Sequence, residues 1–168
     1  MFTGHFGNGL WIAFIGWFLE SAAASQVQQQ TIHDLLAGHR VSDTMRRDYT
    51  AVSPGTTLEQ LVNEHILGSG RRSLVVEQND RVDGLLTLHD VKKIPRSDWS
   101  TTTAAQAMIP AERMKRIRPE AELVDALGEM DRDGVNQLPV MVGDQIQGVL
   151  GRDDVISLLR TLSALGRQ

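Results

Sequence analysis

Side chains at i, i+3, i+4 and i+7 form a single stripe along residues 57 to 67 and again along residues 120 to 131. That period predicts two amphipathic helices, each with one face turned to a core. Two short runs rich in β-branched and aliphatic residues follow each helix, SLVVE with VDGLLT in the first case and LPVMV with IQGVL in the second. Polar turns, QNDR and GDQ, separate the members of each pair, so both pairs read as β-hairpins. Thr56 and Glu59 predict a capping box for the first helix. A further helix follows each hairpin. The second of these carries Val155, Leu158, Leu159 and Leu162 on one face, whereas the first is stopped at Pro95, which cannot continue a helix interior. RSDWSTTTAAQ, Arg96 to Gln106, then connects the two halves.

The two halves are copies of one unit. GLLTLHDV at Gly84 to Val91 recurs 64 residues later as GVLGRDDV at Gly148 to Val155. Upstream, Arg72 to Val76 lies over Asn136 to Val140, Asp80 over Asp144 and Gly70 over Gly134. Leu58, Leu61, Val62 and His65 align with Leu123, Ala126, Leu127 and Met130, and Asp43-Thr44-Met45 with Gln106-Ala107-Met108. So many ordered matches mark a tandem duplication of a unit of about 60 residues. A unit of that size buries too little apolar surface to stand comfortably alone, so the two are expected to pack together. Such packing creates symmetric clefts, which are common ligand sites.

The N-terminal pattern differs. Six of the eight Phe, Tyr and Trp residues fall in the first 18 positions, and GLWIAFIGWFL, Gly9 to Leu19, is apolar on every face. The run is shorter than the ~20 residues a bilayer requires, although Phe2 to Leu19 contains no acidic or basic residue other than His5. A signal peptide is disfavoured because no Lys or Arg precedes it. A buried hairpin or dimer helix remains open. The preferred expectation is the end of a membrane segment or an interfacial anchor over residues 1–25, since Trp and Phe at this density suit a membrane boundary. Residues 26–40 then form a connector, with the repeats at 41–98 and 99–168.

Composition narrows the function classes. The chain has 168 residues, a globular composition and a net charge of −4, which argues against a general nucleic-acid binder. It contains no cysteine, so disulfides, thiolate metal sites and a cysteine nucleophile are excluded, in keeping with a reducing compartment.

Thr87 and Asp90 admit two readings. A hydroxyl or carboxylate after a short strand commonly caps a helix by accepting from its orphan N–H groups. Their duplication raises the second reading, ligand contact. The tandem β-α-β-β-α order, the G-h-h-T-x-x-D-h ending and the L-P-V strand together resemble a pair of CBS domains, a Bateman module, over residues 41 to about 162. The resemblance implies an α/β (α+β) fold of two repeats packed with pseudo-twofold symmetry, whose clefts take adenosine-containing ligands. It implies AMP, ADP or ATP, or S-adenosylmethionine, as the ligand, with Thr87 touching phosphate and Asp90 and Asp154 accepting from ribose hydroxyls. Thr50, Leu138 and Pro139 would surround the base. The second copy has Gly151 in place of the threonine, leaving phosphate contact there to backbone N–H groups or Arg152. The first has Val75 where the second has Pro139. Unequal clefts are therefore expected.

NGLWIAFIGWFLESAAASQ running into such a pair is similar to the last membrane segment and C-terminal tail of site-2-type intramembrane zinc metalloproteases that carry CBS domains. That likeness implies a metalloprotease core as partner, membrane association, and a CBS pair on the cytoplasmic side. The chain has no H-E-x-x-H, and His5, His33, His39, His65 and His89 have no recognisable zinc spacing, so neither catalytic nor metal-ligating residues are assigned. Of the basic run from Arg113 to Arg118, Lys115 or Arg116 is the candidate for phosphate charge, against the plainer reading of a solvated strand edge. Arg71-Arg72 reads as solvent-facing, and the helix dipole alone accounts for Asp153-Asp154. The expected function is a non-catalytic adenine-nucleotide sensor. Its rival is an interaction module that homodimerises by stacking CBS pairs and binds nothing in its clefts.

Overall fold

A computed structural model describes residues 30–166. The aromatic-rich stretch assigned above to residues 1–25 lies outside them. Residues 30–36 are helical (α1), and Leu36 at their end is fully buried. Repeat one then comprises α2 (Val41–Thr44), β1 (Ala51–Val52), α3 (Leu58–Leu61, continuing as a π-helix over Val62–Leu67), β2 (Ser73–Gln78), β3 (Arg81–Thr87) and α4 (Leu88–Lys92). A 3₁₀ turn at Arg96–Asp98 leads to repeat two. This has α5 (Ala104–Ala107), β4 (Ile109–Pro110), α6 (Leu123–Asp133), β5 (Gln137–Val142), β6 (Gln145–Gly151) and α7 (Arg152–Leu165).

Both predicted hairpins form, in the same register. Leu74 faces Leu86 across β2–β3 as Leu138 faces Leu150 across β5–β6, and each ladder slips at the same place, after Val76 and after Val140. Asn79 and Asp80, both at positive φ, make the two-residue turn of the first hairpin; Asn and Asp tolerate that region better than other side chains. The final helices differ in length as Pro95 dictates, five residues in α4 against 14 in α7.

Three local expectations are corrected. The N-cap of α3 is Thr57, whose Oγ1 accepts from the Gln60 N–H at 3.4 Å. Thr56 is held one residue earlier, its carbonyl accepting from Ala104 N–H at 2.8 Å. The connector is not plain linker, because Ala104–Ala107 is helical and Ala104 is fully buried. The opening strand of the second β-α-β-β-α unit shrinks to one parallel bridge, Ile117 to Val140. Proline explains the last point. In repeat one Val75 N–H donates to the Thr50 carbonyl at 2.9 Å and β1 pairs over two residues. Pro139 stands at the equivalent position and has no N–H to give.

The duplication does not yield two self-contained halves. Val41 and Met45, in the lead segment that opens repeat one, are buried with Leu123, Met130, Leu138 and Val155 of repeat two. Ala104, with Ala107 and Met108, packs among Leu58, Leu61, Leu74 and Leu86 of repeat one. Each lead segment thus completes the opposite core. β4 accordingly pairs with β3 rather than with its own repeat, and Arg46 bridges to Val149 of β6. Gly84 and Gly148 permit the crossings: a Cβ there would sit 2.4 Å from the Ile109 carbonyl oxygen and 2.5 Å from that of Arg46. Val75, Val82 and Leu85 meet Met114, Met141 and Val149 in a third cluster between the sheets. At about 1.5–3 kcal/mol per buried side chain, separating the repeats would cost on the order of 10 kcal/mol, comparable with a domain's whole stability.

Candidate functional site

Two pseudo-symmetric clefts flank the seam between the repeats. The first, about 280 Å³, is lined by Thr87, His89, Asp90 and Lys93 from repeat one, and by Arg113, Lys115, Asp133, Asn136 and Gln137 from repeat two. The second, about 250 Å³, is lined by Gly151, Asp153 and Asp154 of repeat two and by Arg46, Tyr49, Arg71, Arg72 and Ser73 from repeat one and its lead segment. The aspartates of both G-h-h-x-x-x-D motifs therefore lie on cleft walls.

The opening of α4 bears out the capping reading of its motif. Thr87 Oγ1 accepts from Asp90 N–H at 3.3 Å, and Asp90 Oδ2 accepts in return from Thr87 N–H at 3.1 Å and from the Thr87 hydroxyl. This is a full capping box, and both side chains are more than nine-tenths buried. Only Oδ2 is used that way. Oδ1 accepts from Lys93 Nζ at 3.2 Å, and that ammonium is exposed. Asp154 repeats the plan without a hydroxyl neighbour. Its Oδ2 accepts from Gly151 N–H at 3.0 Å, and its Oδ1 from Arg46 Nε at 2.7 Å. Both carboxylates are largely buried while their cations are more than half exposed, so the cation, not the carboxylate, is the partner free to move away.

The clefts differ in free charge. Lys115 sits 3.6 Å from Asp133 in the first, and the Arg113 side chain makes no ion pair among the described residues. In the second, all three arginines are engaged: Arg46 with Asp154, Arg72 with Asp153 at 2.8 Å and Arg71 with Asp48 at 3.1 Å. The Arg71 guanidinium holds the Asp48 carboxyl below its usual range, and burial, with Glu77 nearby, pushes the Tyr49 phenol above its own. Tyr49 is thus a neutral, partly buried ring on the second cleft's wall.

Of the remaining candidates, Leu138 is fully buried in the core of repeat two, and Pro139 beside it is buried, its carbonyl accepting from Ile117 N–H. Thr50 contributes its carbonyl to Val75. Arg152 lies between the clefts, bonded to Asp131 at 2.7 Å and to the Asn136 side chain at 3.1 Å. Arg116 lines an open groove against α6 with His33, Arg118 and Glu129, and reaches Asp144 at 4.0 Å; its neighbour Lys115 is the one in the first cleft. The cleft residues missed in the sequence include Arg46, Tyr49, Lys93, Asp133, Asn136 and Gln137, and Arg71 and Arg72, expected to face solvent, line the second cleft instead. Lys93 was accessible through its i+3 spacing from Asp90, while Arg46 stands 108 residues from the aspartate it meets.

Among the described residues no group of His, Asp or Glu side chains is arranged to hold a metal ion, and no helix is long and apolar enough to cross a membrane.

Two hairpin-bearing repeats with exchanged lead segments and carboxylates in both seams define a paired-repeat module with two seam clefts. Residues 41–97 and 104–161 each match the CBS domain, and the chain belongs to that family. It is 27% identical over 154 residues to the candidate zinc metalloprotease Rip3 of Mycobacterium tuberculosis, covering 90% of this chain and 39% of that protein. A candidate zinc metalloprotease of Synechocystis sp. is 24% identical over 160 residues, covering 94% of this chain and 42% of the relative. The chain thus spans about two fifths of the length of these relatives. In fold it is similar to CBSX2 in complex with AMP (TM-score 0.61, 20% identity, 75% of this chain and 99% of that one). It is also similar to the CBS domain pair of protein MJ0100 in complex with 5′-methylthioadenosine and S-adenosyl-L-methionine (TM-score 0.63, 12% identity, 73% and 96%).

Proposed function

We propose that this chain is the adenine-nucleotide-sensing part of a membrane zinc metalloprotease, with the catalytic residues in a portion of the protein outside this sequence. The observation that carries the reading is the first cleft, where a buried carboxylate keeps one oxygen against a displaceable ammonium beside a hydroxyl and a cluster of cations. Ribose hydroxyls take the place of Lys93 on Asp90 Oδ1, and the Thr87 side of the cleft faces the phosphate. Arg113 and Lys115 supply charge that a phosphate would neutralise. The solved CBS pairs bound to AMP and to S-adenosyl-L-methionine support an adenosine-bearing ligand, and the metalloprotease relatives support the partner. Occupancy of the seam would alter how the two repeats sit against each other, which is the signal a membrane-embedded protease core would read on the cytoplasmic side.

Titration calorimetry of the folded chain with AMP, ADP, ATP and S-adenosylmethionine tests this. Heat from at least one, lost or much reduced in Asp90→Asn, is the expected result. No heat from any of the four rejects nucleotide sensing.

A second reading, a homodimerising interaction module with unused clefts, draws on the second site. There Gly151 offers no hydroxyl, and Arg46 already occupies Asp154 at 2.7 Å. Sedimentation that depends on protein concentration and ignores nucleotide would favour it.

A further inference from the structure

The helix ahead of the first hairpin is wound differently from its copy. α6 is regular from Leu123 to Asp133, whereas α3 keeps the α form only over Leu58–Leu61 and widens to a π-helix over Val62–Leu67. The spacing of residues explains this. Gly70 lies one position farther from Leu58 than Gly134 does from Leu123, so the first helix holds one residue more. Both glycines stand at positive φ just past their helices. Gly70 N–H donates to the Ile66 carbonyl at 3.0 Å, as Gly134 N–H donates to that of Met130. Ile66, rather than the His65 that the sequence pairs with Met130, therefore holds the place of Met130. It packs on the core of repeat one, and His65 lies partly exposed at 3.9 Å from Glu64. Beyond the wide turn the match between repeats resumes at once. Gly70, Arg71, Arg72 and Ser73 line the second cleft as Gly134, Val135, Asn136 and Gln137 line the first.

The two helix ends are also held differently. Met130 is fully buried, Asp131 bonds Arg152 at 2.7 Å, and Asp133 stands 3.6 Å from Lys115. At the positions of these two aspartates repeat one has Leu67, which is 70% exposed, and Ser69, whose hydroxyl donates to the Glu64 carbonyl at 3.4 Å. Leu88 stands where repeat two has Arg152. The π winding is a rare one, and a helix end with few buried contacts opens at low free energy.

We infer that the wide turn is a one-residue insertion acting as a hinge, which lets the Gly70–Arg71 corner of the second cleft open while the matching corner of the first stays fixed to α6. The other pivot is Arg72, whose carbonyl accepts from Leu88 N–H at 2.9 Å. Between the pivots the ion pair of Arg71 with Asp48 has its acid 73% exposed, and such pairs resist motion little. The hinge is a property of the folded chain, whether or not a nucleotide binds.

The test is amide hydrogen exchange, read by mass spectrometry, on the full chain and on a variant with Asn63 deleted. Asn63 is exposed, and without it Ile66 falls at the same distance from Leu58 as Met130 from Leu123. Expected in the unaltered chain is protection of amides 66–72 about tenfold or more below that of amides 130–136. Deleting Asn63 restores a regular helix, so it should bring the two segments within about twofold and leave the thermal midpoint equal or higher. Equal protection of the two segments in the unaltered chain refutes the hinge. A deletion variant that fails to fold, melts lower or keeps the contrast refutes the insertion.

Discussion

Replacing Gly84 by alanine sets two effects of opposite sign against each other. Gly84 lies within β3 at an ordinary φ, so alanine can adopt its conformation and would restrict the unfolded chain, a gain of about 0.4–1 kcal/mol. Against this, the new Cβ would lie 2.4 Å from the Ile109 carbonyl oxygen and 2.8 Å from Met108 Sδ, where ordinary contact begins at 3.4 Å. The thioether can swing aside. The carbonyl cannot easily do so, because Gly84 pairs with Pro110, Leu85 with Ile109, and Ala111 N–H donates to the Asp83 carbonyl at 2.8 Å. Overpacking of this kind costs about 1–3 kcal/mol, so the net is a destabilisation of about 1–2 kcal/mol. With a urea dependence of about 2 kcal/mol per M, the unfolding midpoint should fall by roughly 0.5–1 M. Gly148→Ala should behave alike, its Cβ meeting the Arg46 carbonyl at 2.5 Å. Gly128→Ala is the control: that residue is helical, has nothing within 4 Å of its Cβ position, and should gain about 0.5–1 kcal/mol. Urea curves followed by circular dichroism decide the matter. If Gly84→Ala and Gly148→Ala match or exceed the parent midpoint, the crossing of lead segments is not what requires these glycines.

Asp90→Ala strips the buried Thr87 N–H of its acceptor and should lower stability by about 1–3 kcal/mol, whereas Asp90→Asn keeps an acceptor and should lose less. A midpoint unchanged in Asp90→Ala would deny the capping role. Tyr49 is the single tyrosine, so its phenolate absorbance reports one group, and its midpoint should lie above the ordinary value of 10.0. Below that pH the phenol is neutral in both states and stability is unaffected. Above it the unfolded chain loses its proton first, so stability declines as pH rises through the raised folded-state value. A midpoint at or below 10.0 contradicts the burial of that ring.

Much of the candidate site was legible because its elements are local. Thr87 and Asp90 are three residues apart, and the same spacing that marks a helix start also puts a carboxylate at the strand's end. The repeat made Asp154 visible through Asp90, and Pro95 accounted in advance for the short α4. Other points were left open or misread for equally specific reasons. Alternation along the basic run leaves Lys115 and Arg116 as alternatives, and of the two it is Lys115 that lines the first cleft. Thr56 and Thr57 both carry a hydroxyl, and the contact of Thr56 with Ala104, far along the chain, decides which one caps α3.

The sequence by itself determined the duplication, the hairpins and the aspartates, because periodicity, turn residues and capping act over a few positions and leave their pattern in the order of residues. Only the tertiary structure decided that the lead segments cross into opposite cores and that Arg46 meets Asp154. Those features depend on which surfaces of two similar units lie closest once both are folded. The burial of side chains between the sheets sets that arrangement, and no short-range spacing encodes it.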